Sequence, residues 1–253
     1  GMLEAALLAK GSVDFDAELG QRVDHIELDK IVANVLAQLD AMEAKALQLN
    51  RCGDVDASPG CAVEVRYLAQ VLRIWEPEEV YAQTVLAYKL IKADPRIVGL
   101  NFVAPEDHPV ALRDYKMHMS FIAEIGTMFP EQTKGISLHS GGLALGLVPP
   151  EHLGWHITEA IEVAGARRVG HAVDIAHTPE LYALLKKMAK NRIMVEINLT
   201  SNDVILGIKY PYHPFELYME YDVPMALSTD DEGVSRIDLT HEYQRAAQTF
   251  DLS

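Results

Sequence analysis

The chain has 253 residues, 49% of them hydrophobic and 23% charged, which is enough apolar material for one sizeable buried core. Its formal net charge of -15 argues against nucleic acid as a partner, because phosphates require a basic face and no Lys/Arg cluster of useful size occurs. Apolar runs such as Met225–Leu227 and Ala6–Leu8 fall far short of the roughly 20 residues that cross a bilayer, so no membrane partner is expected.

No charged-then-apolar leader follows Gly1-Met2, and the compartment stays open between cytoplasmic and extracytoplasmic. Residues 1–23 form a polar segment without clear periodicity. Asp24-His-Ile-Glu27 reads as a capping box, and Ile31, Val32, Val35, Leu36, Leu39 and Met42 recur at helical spacing, predicting a long helix over 24–50. Cys52 and Cys61 then bracket a loop rich in Gly, Pro and Asp. A disulfide, which would suggest an extracytoplasmic home, and two reduced thiols fit that spacing equally.

Strand-helix units are expected over 62–253. Short apolar segments at 62–68, 97–103, 135–138, 168–173, 193–199 and 224–227 are each followed by a helical stretch. Helix starts are marked by Pro77-Glu-Glu, Pro109, Pro149-Pro-Glu, Thr178-Pro-Glu and Pro214-Phe-Glu. Strands rich in Val and Ile that lack polar alternation describe a parallel sheet covered by helices. Both a doubly wound sheet and a (β/α)8 barrel carry this signature. Polar clusters at the strand ends favour the barrel, whose active-site rim they would form. They include Asn101 with Pro105-Glu-Asp, His139-Ser, Gly170-His171, Asn198 with Thr200-Ser-Asn, and Ser228-Thr-Asp230-Asp231. With no composition break, residues 1–253 are expected to be one domain, an incomplete barrel of about six units with its first strands missing.

The chemistry rests on His139, His171 and Asp230-Asp231, each just after an apolar strand although 32 and 59 positions separate them. Neutral imidazoles and a carboxylate suit zinc or a similar divalent ion, which makes a hydroxide nucleophile near neutral pH. A lone histidine of this kind is more often structural; three strand-end sites together favour a functional pocket.

From about Val63 to Tyr243 these motifs resemble the adenosine deaminases. Leu138-His139-Ser-Gly-Gly142 is similar to that family's His-Ala-Gly-Glu, and Val169-Gly-His171-Ala to its Gly-His-Gly. Ser228-Thr-Asp230-Asp231 is similar to its Asn-Thr-Asp-Asp-Pro, and Glu196-Ile-Asn-Leu-Thr-Ser-Asn202 to its Glu-x-Cys-Pro-x-Ser-Asn. The resemblance implies a TIM barrel of the metal-dependent hydrolase type that binds zinc and deaminates a 6-aminopurine nucleoside. It implies metal ligation by His139 and Asp230, orientation of the nucleophile by His171 beside Asp230, and purine binding by Asp231 and at position 142.

Two departures bear on activity. The family's His-x-His pair, half of its protein ligands, occurs nowhere in the chain, and Gly142 stands where the family's glutamate protonates a ring nitrogen. Because a general acid contributes roughly 10²- to 10⁴-fold, weak zinc binding and little turnover are expected, with a catalytically inactive purine-binding or interaction protein as the rival reading. An open barrel edge would further call for cover by the 24–50 helix or a second copy. Outside the main constellation, Glu106 and Asp107 read as site residues or as a solvated loop. His152 and His156 are expected on the outer layer, and Met117, Met119 and Met128 in core packing.

Overall fold

The computed structural model describes residues 27–252, so most of the capping box at 24–27 lies outside the described residues. Helix α1 (Leu28–Leu49) lays Val32, Val35, Leu36 and Leu39 on a core that includes Ala69, Ala87 and Leu90. Its polar side is tied down by charge. Asp40 and Glu43 both pair with Arg96, and Asp29 pairs with Lys89. After the helix, a Cys52–Cys61 disulfide closes the loop, so the bridged alternative is the one the structure contains.

The first strand falls later than the sequence suggests. Pro59–Ala62 is a 3₁₀ turn, Val63 and Val65 are exposed, and β1 runs Tyr67–Leu72. Val63-Glu-Val-Arg66 mimics strand alternation, but the residues that reach the core come later: Ala69 and Val71 are buried in it and Tyr67 packs against it. Pairing with β2 (Ile97–Val103) accordingly starts at Tyr67↔Ile97 and ends at Leu72↔Val103.

The remaining strands are β3 (Ser137–Ser140), β4 (Arg168–His171), β5 (Met194–Ile197) and β6 (Met225–Leu227). All pairings are parallel. β3 to β6 follow one another in chain order, and a Leu100↔Ile136 bridge links β2 to β3. Where those two meet, a Cβ on Gly99 would lie 1.7 Å from the Gly135 carbonyl oxygen, so the contact admits only glycine. Among the described residues β1 and β6 each have one strand neighbour.

Between the strands lie α2 (Pro77–Ala93), α3 (Pro109–Met128), α4 (His156–Glu162), α5 (Leu181–Asn191), α6 (Leu199–Leu206) and α7 (Phe215–Glu220). After β6 come α8 (Glu232–Ser235) and α9 (Leu239–Thr249). Proline at the first position starts α2 and α3 as expected, with a Glu76/Glu79 capping box on α2. Pro149-Pro150 instead opens a three-residue turn, and α4 begins only at His156. Met119 is buried and Met117 packs on the core, but Met128, the last residue of α3, is exposed. One core cluster gathers α2 and α3 with β1–β3, a second gathers α5 and α7 with β4 and β5. Among the described residues no helix is long and apolar enough to cross a membrane.

Candidate active site

The carboxyl ends of the strands converge on a cavity of about 550 Å³, and His139, Gly142, His171, Asp230 and Asp231 all line it. The structure therefore brings together every site residue read from the sequence. His139 lies in β3, with its backbone N–H donating to Asn101 Oδ1 at 2.9 Å. Its ring lies 4.4 Å from that of His171, centroid to centroid, and His171 Nε2 lies 3.8 Å from Asp230 Oδ2. Asp230, at the exposed rim, accepts a 2.6 Å bond from Ser201 Oγ.

Burial pushes both imidazoles below the ordinary histidine range. At His139 the charge on Arg73 and neighbouring His171 push the same way, with Glu106 opposing. Asn198 Nδ2 and Asn202 Nδ2 donate to His171 Nδ1 at 3.3 and 3.0 Å, so the neutral ring carries its hydrogen on Nε2, toward Asp230.

His171 reaches this position because its own backbone and that of Ala172 turn left-handed, with φ of 66° and 49°. A left-handed alanine costs roughly 1 kcal/mol, and the family motif has glycine there. Yet Ala172 is fully buried, and its methyl is worth about 0.8 kcal/mol. Ala172→Gly is therefore expected to shift stability by less than about 0.5 kcal/mol in denaturant titration, while Ala160→Gly, buried inside α4, costs more than about 1 kcal/mol.

Glu106 is no solvated loop residue. Its carboxylate is buried and accepts from Gly141 N–H and Gly142 N–H, both at 2.9 Å. Oε1 also lies 2.6 Å from His156 Nδ1, and Oε2 lies 3.8 Å from His139 Nε2. Burial works to raise its pKa, but the His156 hydrogen bond, the Arg73 charge and the two histidines overcome it and hold the group near 2. Asp107 lines the cavity beside it, partly exposed.

His156 is likewise displaced from its expected outer-layer role: it is completely buried, stacked on Tyr115 at 3.8 Å and aimed at the back of the site. His152 does stay near the surface. Arg73, just past β1, is buried, and among the described residues no acceptor takes a hydrogen bond from its guanidinium nitrogens. Asp174 is also buried; Gly154 N–H donates to its Oδ2 at 3.0 Å, and Oδ1 has no hydrogen-bond partner. Burial pushes this carboxyl up to about 7, against the Gly154 bond and with help from the Glu106 charge. In the sequence Glu106 stands out only as part of a strand-end cluster, and nothing local marks Arg73 or Asp174.

Position 142 is tight. A Cβ there would sit 2.9 Å from His139 Nε2 and 3.3 Å from Glu106 Oε2. The donors do not fit a catalytic zinc either. Such an ion takes three protein ligands, and among the described residues no three His, Cys, Asp or Glu groups gather closely enough to hold one.

The adenosine deaminase family model matches residues 17–253. An adenosine deaminase of Klebsiella pneumoniae is 28% identical over 224 residues, which is 71% of this chain and 66% of that protein. The apo N6-methyl-AMP deaminase of Arabidopsis thaliana superposes with a TM-score of 0.55 at 24% identity, over 75% of this chain and 49% of that one. An amidohydrolase from Burkholderia ambifaria, solved with bound Zn, gives a TM-score of 0.52 at 16% identity over 74% and 47%. The chain thus spans about half the length of these solved structures, and its parallel α/β fold is the corresponding part of their barrel. With the family model matched along nearly its whole length, the chain belongs to the adenosine deaminase family.

Proposed function

We propose that the cavity is a deaminase-type site for a 6-aminopurine nucleoside in which turnover is weak or lost. The observation that carries this reading is the convergence of His139, His171, Asp230 and Asp231 on one cavity where Gly142 takes the place of the family's acid. In family terms His171 orients a nucleophile, Asp231 binds the purine, and His139 and Asp230 are the half-set of metal ligands. Two donors hold zinc weakly, and a purine without a proton donor at its ring nitrogen reacts slowly.

The lining also bears on substrate class. Among the described residues five carboxylates, Glu106, Asp107, Glu196, Asp230 and Asp231, line the cavity and no Lys or Arg does, although Arg168 pairs with Glu196 and the Arg73 charge lies near Glu106. An uncharged nucleoside is therefore favoured over its 5′-phosphate, which would meet more negative than positive charge.

Calorimetric titration should show adenosine binding, AMP binding at least about tenfold more weakly, and only slow loss of adenosine absorbance with added zinc. Brisk turnover would sink the weakened-enzyme reading, and no purine binding would sink the site itself. Gly142 and the missing His-x-His favour one rival, an inactive purine-binding or interaction protein. Gly142→Glu in a polypeptide that also carries the His-x-His pair separates the two: a gain of about 100-fold or more with zinc marks a disabled enzyme, and silence supports the binding protein.

A further inference from the structure

We propose that Glu106 is the positioning residue of this site, a buried anchor that holds the loop after β3 so that His139 and position 142 face the cavity. This deepens the reading of the cavity as a purine site and rests on it for the ligand. The loop's carbonyl side is tied to the chain after β4, where Val173 N–H and Asp174 N–H donate to the Gly141 oxygen at 2.9 and 3.2 Å, which leaves its N–H groups to be held from elsewhere. Gly141 and Gly142 have no side chains to pack, and Gly141 is left-handed with φ of 76°.

The loop's two amides converge instead on one carboxylate from a different strand end, 35 and 36 residues away. Glu106 is anchored in turn. An ionised carboxylate only accepts hydrogen bonds, so His156 must donate from Nδ1, and the 2.6 Å contact ties Glu106 to α4. Arg73 supplies positive charge nearby without competing for the carboxylate's lone pairs, since among the described residues its guanidinium makes no hydrogen bond. Three donors on one buried anion from two separate elements make an arrangement costly to distort, because each charge-assisted bond is worth roughly twice a neutral one. Oε2 also faces His139 Nε2 at 3.8 Å, so the anchor reaches the ring as well as the loop that follows it.

The test uses the full chain carrying Glu106→Gln, which keeps the shape but turns an N–H₂ toward one of the donors. Amide exchange at Gly141 and Gly142 is expected to accelerate at least about 30-fold while Val169 in β4 stays protected. The imidazole resonances of His139 should shift, and adenosine affinity should fall at least about tenfold. His156→Phe keeps a ring against Tyr115 and removes the Nδ1 donor; it should move all three signals the same way, by less. A folded Glu106→Gln chain with unchanged glycine exchange and unchanged His139 resonances overturns the proposal. If Glu106→Gln does not fold, His156→Phe decides, and no change in it is equally fatal. Should the unsubstituted chain bind no adenosine, the purine reading fails, while the exchange and imidazole signals still judge the anchor.

Discussion

Replacing Asp174 by asparagine is expected to add about 4 kcal/mol of stability near pH 8 relative to its effect near pH 4, when each variant is compared with the unsubstituted chain. Burial raises this carboxyl from 3.8 to about 7, and every tenfold change in proton affinity between the folded and unfolded chain is worth about 1.4 kcal/mol. The sign follows from linkage. Between those two values the folded chain holds a proton that the unfolded chain has released, so stability falls as pH rises through this window and stays low above it. Asparagine cannot ionise and escapes that loss. Its amide leaves a donor unpaired near Gly141, but that penalty is the same at both pH values and cancels from the difference. Urea titrations of both proteins at the two pH values measure it, and parallel pH curves would show that Asp174 is already ionised in the folded state.

Glu106 behaves in the opposite way. Held near 2 by the His156 bond and the Arg73 charge despite its burial, it contributes stability that is complete above its ordinary 4.5 and is lost as pH falls through about 2. Below about pH 7 one carboxyl is thus charged and the other protonated, on either side of Gly141. Glu106 accepts from the Gly141 N–H, and Asp174 Oδ1 lies where a Gly141 side chain would begin. Above that pH both are ionised and the loop after His139 sits between like charges; burying Asp174 confines this to the alkaline side by raising its pKa.

How far the fold can be read from sequence depends on whether a residue's partners are local. Strands β2 to β6 lie close to their apolar runs, because strands buried on both faces keep Val, Ile and Leu at successive positions. β1 starts later than its apolar run because Val63 to Arg66 has the alternation of a strand but no strand partner among the described residues. The convergence of His139, His171 and Asp230 is legible because each sits at a strand end, and a parallel barrel gathers such positions on one side. Glu106, His156 and Arg73 belong to the same site but come from a loop, a helix start and a segment beyond β1. Only the folded chain shows that they face one another, 50 residues apart in the case of Glu106 and His156. Nor does spacing place His156 correctly, since the helix after Pro149-Pro150 begins only at His156 itself and so turns that ring inward.

The adjacent glycines of the His139 loop are expected to respond to alanine in opposite ways. At Gly141 the backbone is left-handed, and the new methyl would lie 2.6 Å from Asp174 Oδ1 and 2.7 Å from Ile157 Cδ1. Left-handed strain of roughly 1–2 kcal/mol and overpacking of roughly 1–3 kcal/mol add. Gly141→Ala should therefore cost about 3 kcal/mol or more, read as a lower denaturation midpoint with an unchanged slope. Asp174→Asn in the same chain should not rescue it, because asparagine fills the same space. Gly142 does not have a left-handed backbone, and the one contact under 3.0 Å would be with His139 Nε2, the end of a partly exposed side chain that can turn away, while the anchored Glu106 Oε2 lies farther off at 3.3 Å. Gly142→Ala should cost under about 1 kcal/mol of stability yet displace the His139 ring and weaken adenosine binding. If both substitutions destabilise the chain equally, position 142 is a packing site. If only Gly142→Ala loses the ligand while keeping the fold, the space that the family fills with glutamate is part of the binding surface.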